Sequence, residues 1–223
     1  MKKLGLFSKA VKLLACAAIF GAISASAFSE GADYVKLEQP IPNADKTFIK
    51  VFSYDCPFCY KYDKSVTPKV VEQLGDAAKF RPFHLKTKGK YGTLASELFA
   101  VLVVKDEANG VKNSFADDSL FKKAKMAYYK AYHDKKERWS DGKDPEAFLK
   151  VGLDATGLSK ADFEAALKDE KVQNLLKEWD ASYDVAKIQG VPAFVVNGKY
   201  LIYTAKITSI DGMEQLVKEL LAK

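Results

Sequence analysis

Hydrophobic positions along the chain change their period five times. From Thr47 to Ser53 the run TFIKVFS is short, β-branched and aromatic, the pattern of a buried strand, and Lys79 to Leu85, KFRPFHL, reads the same way. Between them, Cys56 to Gly75 has helical spacing, with Gly75 as a stop signal and Pro68 as a kink. A helical period then takes over. Thr93 to Val104 and Asp118 to His133 read as amphipathic helices, the second with Leu120, Phe121, Ala124, Tyr128 and Tyr132 three and four apart. Asp144-Pro145 starts another helix and Gly152 is read as its end. Ser159 with Asp162 resembles a capping box, and Val172, Leu175, Leu176, Trp179 and Tyr183 form a further apolar stripe.

Strand character returns near the C-terminus. Ala193 to Val196 and Lys199 to Tyr203 flank Asn197-Gly198, a hairpin signal because both positions of a type I′ turn need positive φ. Thr208 with Asp211 is expected to open a last helix with Met213, Leu216, Val217 and Leu220 inside. The pattern predicts an α/β frame, residues 28–90 and 188–223, interrupted by a helical block over 91–187.

Charge changes the picture only after the first 27 residues are set apart. They carry Lys2, Lys3, Lys9 and Lys12, then an uncharged run from Leu13, then Ala25-Ser26-Ala27, the pattern of a secretory leader cleaved after Ala27. Without those four lysines, 31 of the 35 basic side chains remain against 29 acidic ones. The balance is then nearly neutral and gives no argument for nucleic acid. Cys16 leaves with the leader, and Cys56 and Cys59 are the cysteines that stay. The remaining chain is long enough to bury a core without disulfides.

The stretch SYDCPFCY therefore poses a choice between metal clip, staple and redox couple. As a metal site it offers two ligands where structural zinc takes four, and His84 and His133 stand far away in sequence. As a staple it closes a four-residue loop worth roughly 2 kcal/mol before strain. Two cysteines three apart at a helix start already lie within bonding reach, so the bond constrains little. As a redox couple it has a mechanism. Cys56 at a helix N-terminus meets unpaired N–H groups and the positive end of the dipole, which favour a thiolate. A stabilised thiolate favours the reduced form and makes the disulfide oxidising, with Cys59 as the buried resolving thiol.

The strand leading into CPFC at a helix start, with Gly190-Val191-Pro192 ahead of a strand and an Asn-Gly hairpin, resembles the thioredoxin superfamily. The helical block between the two halves is similar to that of the DsbA family of periplasmic disulfide oxidases, and the stretches AYHDKKERWSDGKD and VAKIQGVPAFVVNGKYLIYT resemble a specialised branch of it. The match runs over essentially the whole chain beyond the leader. It implies a thioredoxin fold with an inserted helical domain, with Cys56 as nucleophile, Cys59 as its partner, and Pro57 and Phe58 as the dipeptide that tunes potential. It also implies a cis Pro192 beside the pair, with Val191 offering backbone hydrogen bonds to an extended client.

Two positions depart from the family. Phe58 stands where DsbA proteins commonly have histidine, and Lys50 stands where many relatives bury an acid. A lysine inside FIKVFS either snorkels to solvent or lies beneath the cysteines, where its ammonium would favour the Cys56 thiolate.

The resemblance implies a monomeric periplasmic oxidase that needs no cofactor and acts on reduced secreted proteins, an arylsulfate sulfotransferase among them. A DsbB- or DsbI-like membrane quinone reductase would reoxidise it. A disulfide reductase or isomerase, and a peptide-binding chaperone module with an inert disulfide, are the alternatives.

Overall fold

A computed structural model describes residues 27–223. The leader expected over residues 1–27 lies outside the described residues except for Ala27. Chain order begins with a short strand that the hydrophobic pattern did not signal, β1 (Tyr34–Lys36), followed by β2 (Thr47–Phe52). All six residues of β2 are buried, which accounts for its lack of alternation: a central strand covered on both faces has no solvent side. Two helices follow, α1 (Pro57–Ser65) and α2 (Thr67–Leu74), where the sequence pattern suggested one kinked helix. The break falls at Val66 because Pro68 has no N–H to continue the ladder and its ring crowds the carbonyl four residues back. β3 (Lys79–His84) then pairs in parallel with β2, Phe52 opposite His84.

Seven helices separate β3 from the next strand: α3 (Gly92–Ala108), α4 (Leu120–Tyr129), α5 (Trp139–Gly142), α6 (Pro145–Thr156), α7 (Lys160–Ala166), α8 (Glu170–Trp179) and α9 (Ala181–Gln189). A π-helical turn over Lys130–Asp134 extends α4. The charged run after it carries Trp139 into the core, with Trp139, Ser140 and Asp141 all at positive φ. α6 continues past Gly152 and stops at Gly157, which has φ 71°. Gly152 is no stop signal. It is a contact point, where a Cβ would stand 2.3 Å from Leu98 Cδ2 and 2.9 Å from the Tyr128 ring. The apolar stripe of Val172 and Trp179 is buried, but Tyr183 belongs to α9, beyond a break at Asp180, and is exposed.

The chain returns through β4 (Ala193–Val196) and β5 (Tyr200–Ile202). Asn197 and Gly198 between them have φ 52° and 63°, as the hairpin reading required. The last helix, α10 (Ile210–Leu221), is capped by Ser209 through Gly212 N–H, one residue later than the Thr208 reading; Met213, Leu216, Val217 and Leu220 are buried on it as expected. The sheet order is β1-β5-β4-β2-β3, antiparallel except for β2 with β3. One core lies between the sheet and the helical block. A second, built on Phe48, Val70, Phe194 and Val217, fills the opposite face under α2 and α10. Among the described residues no helix is long and apolar enough to cross a membrane.

Candidate active site

Strand β2 ends at Phe52, and Ser53 to Asp55 turn the chain into α1. Cys56 has extended dihedrals (φ −91°, ψ 111°), so it is the N-cap of that helix, and Pro57 fills the next position, where a missing N–H costs nothing. The Cys56 Sγ accepts the Cys59 N–H at 3.1 Å. N-caps are ordinarily Ser, Thr, Asp or Asn, whose oxygen performs this task. A sulfur in that place sits on the orphan donors and at the positive end of the helix dipole.

The second neighbour of this sulfur comes from the other half of the frame. Val191-Pro192 is a cis peptide, and the Cys56 thiol donates to the Val191 carbonyl at 3.3 Å. The two contacts work in opposite senses: the Cys59 N–H favours a thiolate, whereas a carbonyl can be satisfied only by the protonated thiol. The balance goes to the anion. A hydrogen bond from the Cys59 side chain acts first, burial opposes it, and the Cys59 N–H and the charges of Lys50 and Lys88 add to it, so the Cys56 pKa lies below the ordinary thiol value. Burial pushes Cys59 far in the other direction, reinforced by its bond to Cys56 and by the Cys56 charge. One thiol of the pair is tuned to ionise and the other to stay protonated.

Beneath the pair lies a charge cluster that is almost dry. Lys50 is 1% exposed, so it does not snorkel. Its ammonium donates to the Cys59 carbonyl at 3.3 Å, to the Thr67 hydroxyl at 3.3 Å and to the Asp63 carboxylate. On the other Asp63 oxygen, Lys125 forms an ion pair at 3.1 Å and the Tyr129 hydroxyl donates at 3.2 Å. Burial works against an ionised Asp63, but the charges of Lys125 and Lys50 outweigh it and hold the carboxyl below its usual range. Burial likewise pulls Lys125 down to about 8, against the opposing pull of Asp63.

At the rim, Phe58 is 63% exposed beside a nearly buried Cys56. Lys88 lies 3.5 Å from Asp55, and the His133 Nε2–H donates to the Tyr54 carbonyl at 3.1 Å. The other histidine, His84, is buried, with Nδ1 2.7 Å from the Ser96 hydroxyl. Tyr54 and Tyr60, adjacent to the pair in sequence, are buried in aromatic clusters.

The structure thus brings Cys56, Cys59, Lys50 and Val191-Pro192 together, with Pro57 and Phe58 in the turn between the cysteines. Asp63, Lys125, Thr67 and Tyr129 were missed. A signal for them existed. Asp63 follows Cys59 by four residues and precedes Thr67 by four, and Lys125 follows Phe121 by four, so both acid and lysine fall on apolar helix faces where a charge needs a partner.

Residues 47–221 match the family model described as the DSBA-like thioredoxin domain. The chain is 65% identical over 223 residues, all of both chains, to the thiol:disulfide interchange protein DsbL of Escherichia coli O6:H1, strain CFT073. It superposes on the crystal structure of Salmonella enterica serovar Typhimurium DsbL with TM-score 0.87 and 68% identity, over 89% of this chain and 100% of that one. A crystal structure of reduced DsbL gives TM-score 0.86 at 68% identity, over 88% and 100%.

Proposed function

The chain belongs to the DsbA-like thioredoxin-domain family of thiol:disulfide oxidoreductases, and from that premise we propose that Cys56 and Cys59 are its redox couple and that they pass a disulfide to client proteins. The observation that carries this reading is the position of Cys56 Sγ, at the N-cap of α1 on the Cys59 N–H and against the cis Val191-Pro192 loop. In the oxidised protein a client thiolate attacks Cys56 Sγ, the Cys56–Cys59 bond breaks, and Cys59, whose pKa is high, takes up a proton. A second client thiolate then attacks the client sulfur of the mixed disulfide. Cys56 departs as the thiolate that its surroundings favour, so this step runs toward the oxidised client.

Pro57 and Phe58 set the spacing and surface of the turn, and exposed Phe58 gives a client an apolar contact beside the sulfur. Val191 presents its backbone to an extended client segment, as in strand addition, and a client donor that takes over the Val191 carbonyl removes the one contact that favours the protonated thiol. Lys50 contributes positive charge beneath the pair in place of the histidine that Phe58 replaces.

Thiol:disulfide interchange requires substrate proteins and a redox partner in general. The finer reading is a monomer in the periplasm, delivered by the leader of residues 1–27, with secreted clients that include an arylsulfate sulfotransferase and a DsbB- or DsbI-like membrane quinone reductase as reoxidant. The leader pattern and the similarity to DsbL proteins support it.

The test mixes oxidised protein with a reduced, unfolded cysteine-bearing client, separates the two and counts client thiols. Stoichiometric loss is expected, abolished in Cys56→Ser. Binding of the client with its thiols intact would refute the reading.

A further inference from the structure

The buried cluster under the cysteines holds two ammonium groups and one carboxylate, Lys50 and Lys125 around Asp63, all almost fully buried. An ion pair compensates its own burial, but the second lysine is a surplus cation in a low dielectric. Its other neighbours carry no charge: Lys125 Nζ lies over the rings of Phe115, Phe121 and Phe52, 4.4, 4.8 and 5.7 Å from their centroids, faces that attract a cation without neutralising it. The ionisable groups that act on it are Asp63 and Cys59 from α1 and Lys50 from β2, with the Tyr129 hydroxyl of α4 bound to the same carboxylate. Of these, only the cysteine pair changes charge during the reaction. With a thiolate present the surplus cation has a counter-charge; with a disulfide it has none.

We propose that Lys125 is a positioning residue for the redox step that gains a proton when the disulfide is reduced and gives it up when the disulfide re-forms. The inference rests on the reading of Cys56 and Cys59 as the couple. Electrons and protons then balance within the complex. The client dithiol loses two electrons and two protons, and its sulfurs join. The Cys56–Cys59 bond breaks, leaving a Cys56 thiolate and a Cys59 thiol that holds one proton, and neutral Lys125 becomes an ammonium with the other. No proton is left for solvent. Without Lys125, one proton per turnover must leave. The coupling is an equilibrium linkage through Asp63 and the cysteine pair and requires no contact between Lys125 and the client.

Exchange with glutathione reads this out. If Lys125 takes up the proton, the equilibrium constant for reduction by glutathione rises only about two- to threefold from about pH 7 to pH 8, the interval just below the Lys125 value in the reduced protein. In Lys125→Met, which leaves Lys50 paired with Asp63, and in Lys125→Arg, which stays charged in both states, the constant rises about tenfold over the same interval. A purely structural lysine would give the tenfold rise in the wild type as well, and that result would overturn the proposal. Should neither variant fold, the wild type decides alone: reduction by dithiothreitol in weak buffer with a pH indicator should release well under one proton per disulfide, and release of a full proton refutes the idea. If glutathione does not exchange at Cys56–Cys59 at all, the functional reading fails first. If it exchanges with the steep slope, only Lys125 is misassigned.

Discussion

At the scale of single residues, Cys56 and Cys59 are chemically identical groups one helical turn apart, and the fold separates them by position alone. Cys56 caps the helix and receives its N–H, whereas Cys59 lies a turn deeper, where burial dominates. Lys50 contributes to the first effect from below, which gives a direct expectation. Lys50→Met should raise the Cys56 pKa toward the free-thiol value of about 8.5, read from the ultraviolet absorbance of the thiolate, while leaving the thiol functional. An unchanged Cys56 titration would remove Lys50 from the tuning groups. Cys56 and Cys59 were legible because a C-x-x-C after a strand is a local pattern, whereas Val191 and Pro192 were set beside them by the family resemblance, since a Val-Pro by itself reads as an ordinary turn. Lys125 was not: in FKKAKMAYY it stands beside Lys122 and Lys123, and only its register with Phe121 and Tyr128 on one face of α4 separates it from the solvated lysines.

At the scale of elements, the reading succeeded where local chemistry determines the outcome and failed where packing does. The Asn197-Gly198 hairpin and the Ser159 cap follow from the conformational needs of two residues and one side chain, and both were found. Gly152 looked like a helix stop, yet it lies within α6 because Leu98 of α3 and Tyr128 of α4 close on the place a side chain would occupy. Nothing within its own segment records that approach. Gly152→Ala should therefore destabilise the protein by about 1–3 kcal/mol through overpacking, seen as a lower denaturation midpoint, although alanine is the better helix former. A midpoint that rises would mean that α3, α4 and α6 pack less closely than described. Strand β1 was missed for a related reason: three residues gain their order from pairing with β5, a partner more than 160 residues away.

At the scale of the whole molecule, the α/β frame was legible from its changes of hydrophobic period, and seven helices between β3 and β4 fill the interval that the sequence marked as helical. That block supplies Lys125 and Tyr129 to the floor of the site, while the frame supplies the cysteines, Lys50, Asp63 and the Val191-Pro192 loop. The arrangement as a whole favours the state with a sulfur anion at Cys56. Reduction therefore stabilises the fold, where an ordinary cross-link would lose its contribution on being cut. The sign of the pH dependence follows. A thiol whose folded pKa is depressed contributes stability that is fully present above the unfolded value, about 8.5, and is lost as pH falls through the folded pKa.

Comparing the unfolding free energies of the reduced and oxidised protein across this range tests that claim most directly. The reduced form should be the more stable at neutral and mildly alkaline pH. A disulfide form that is more stable throughout, by the roughly 2 kcal/mol expected of so short a loop, would contradict it.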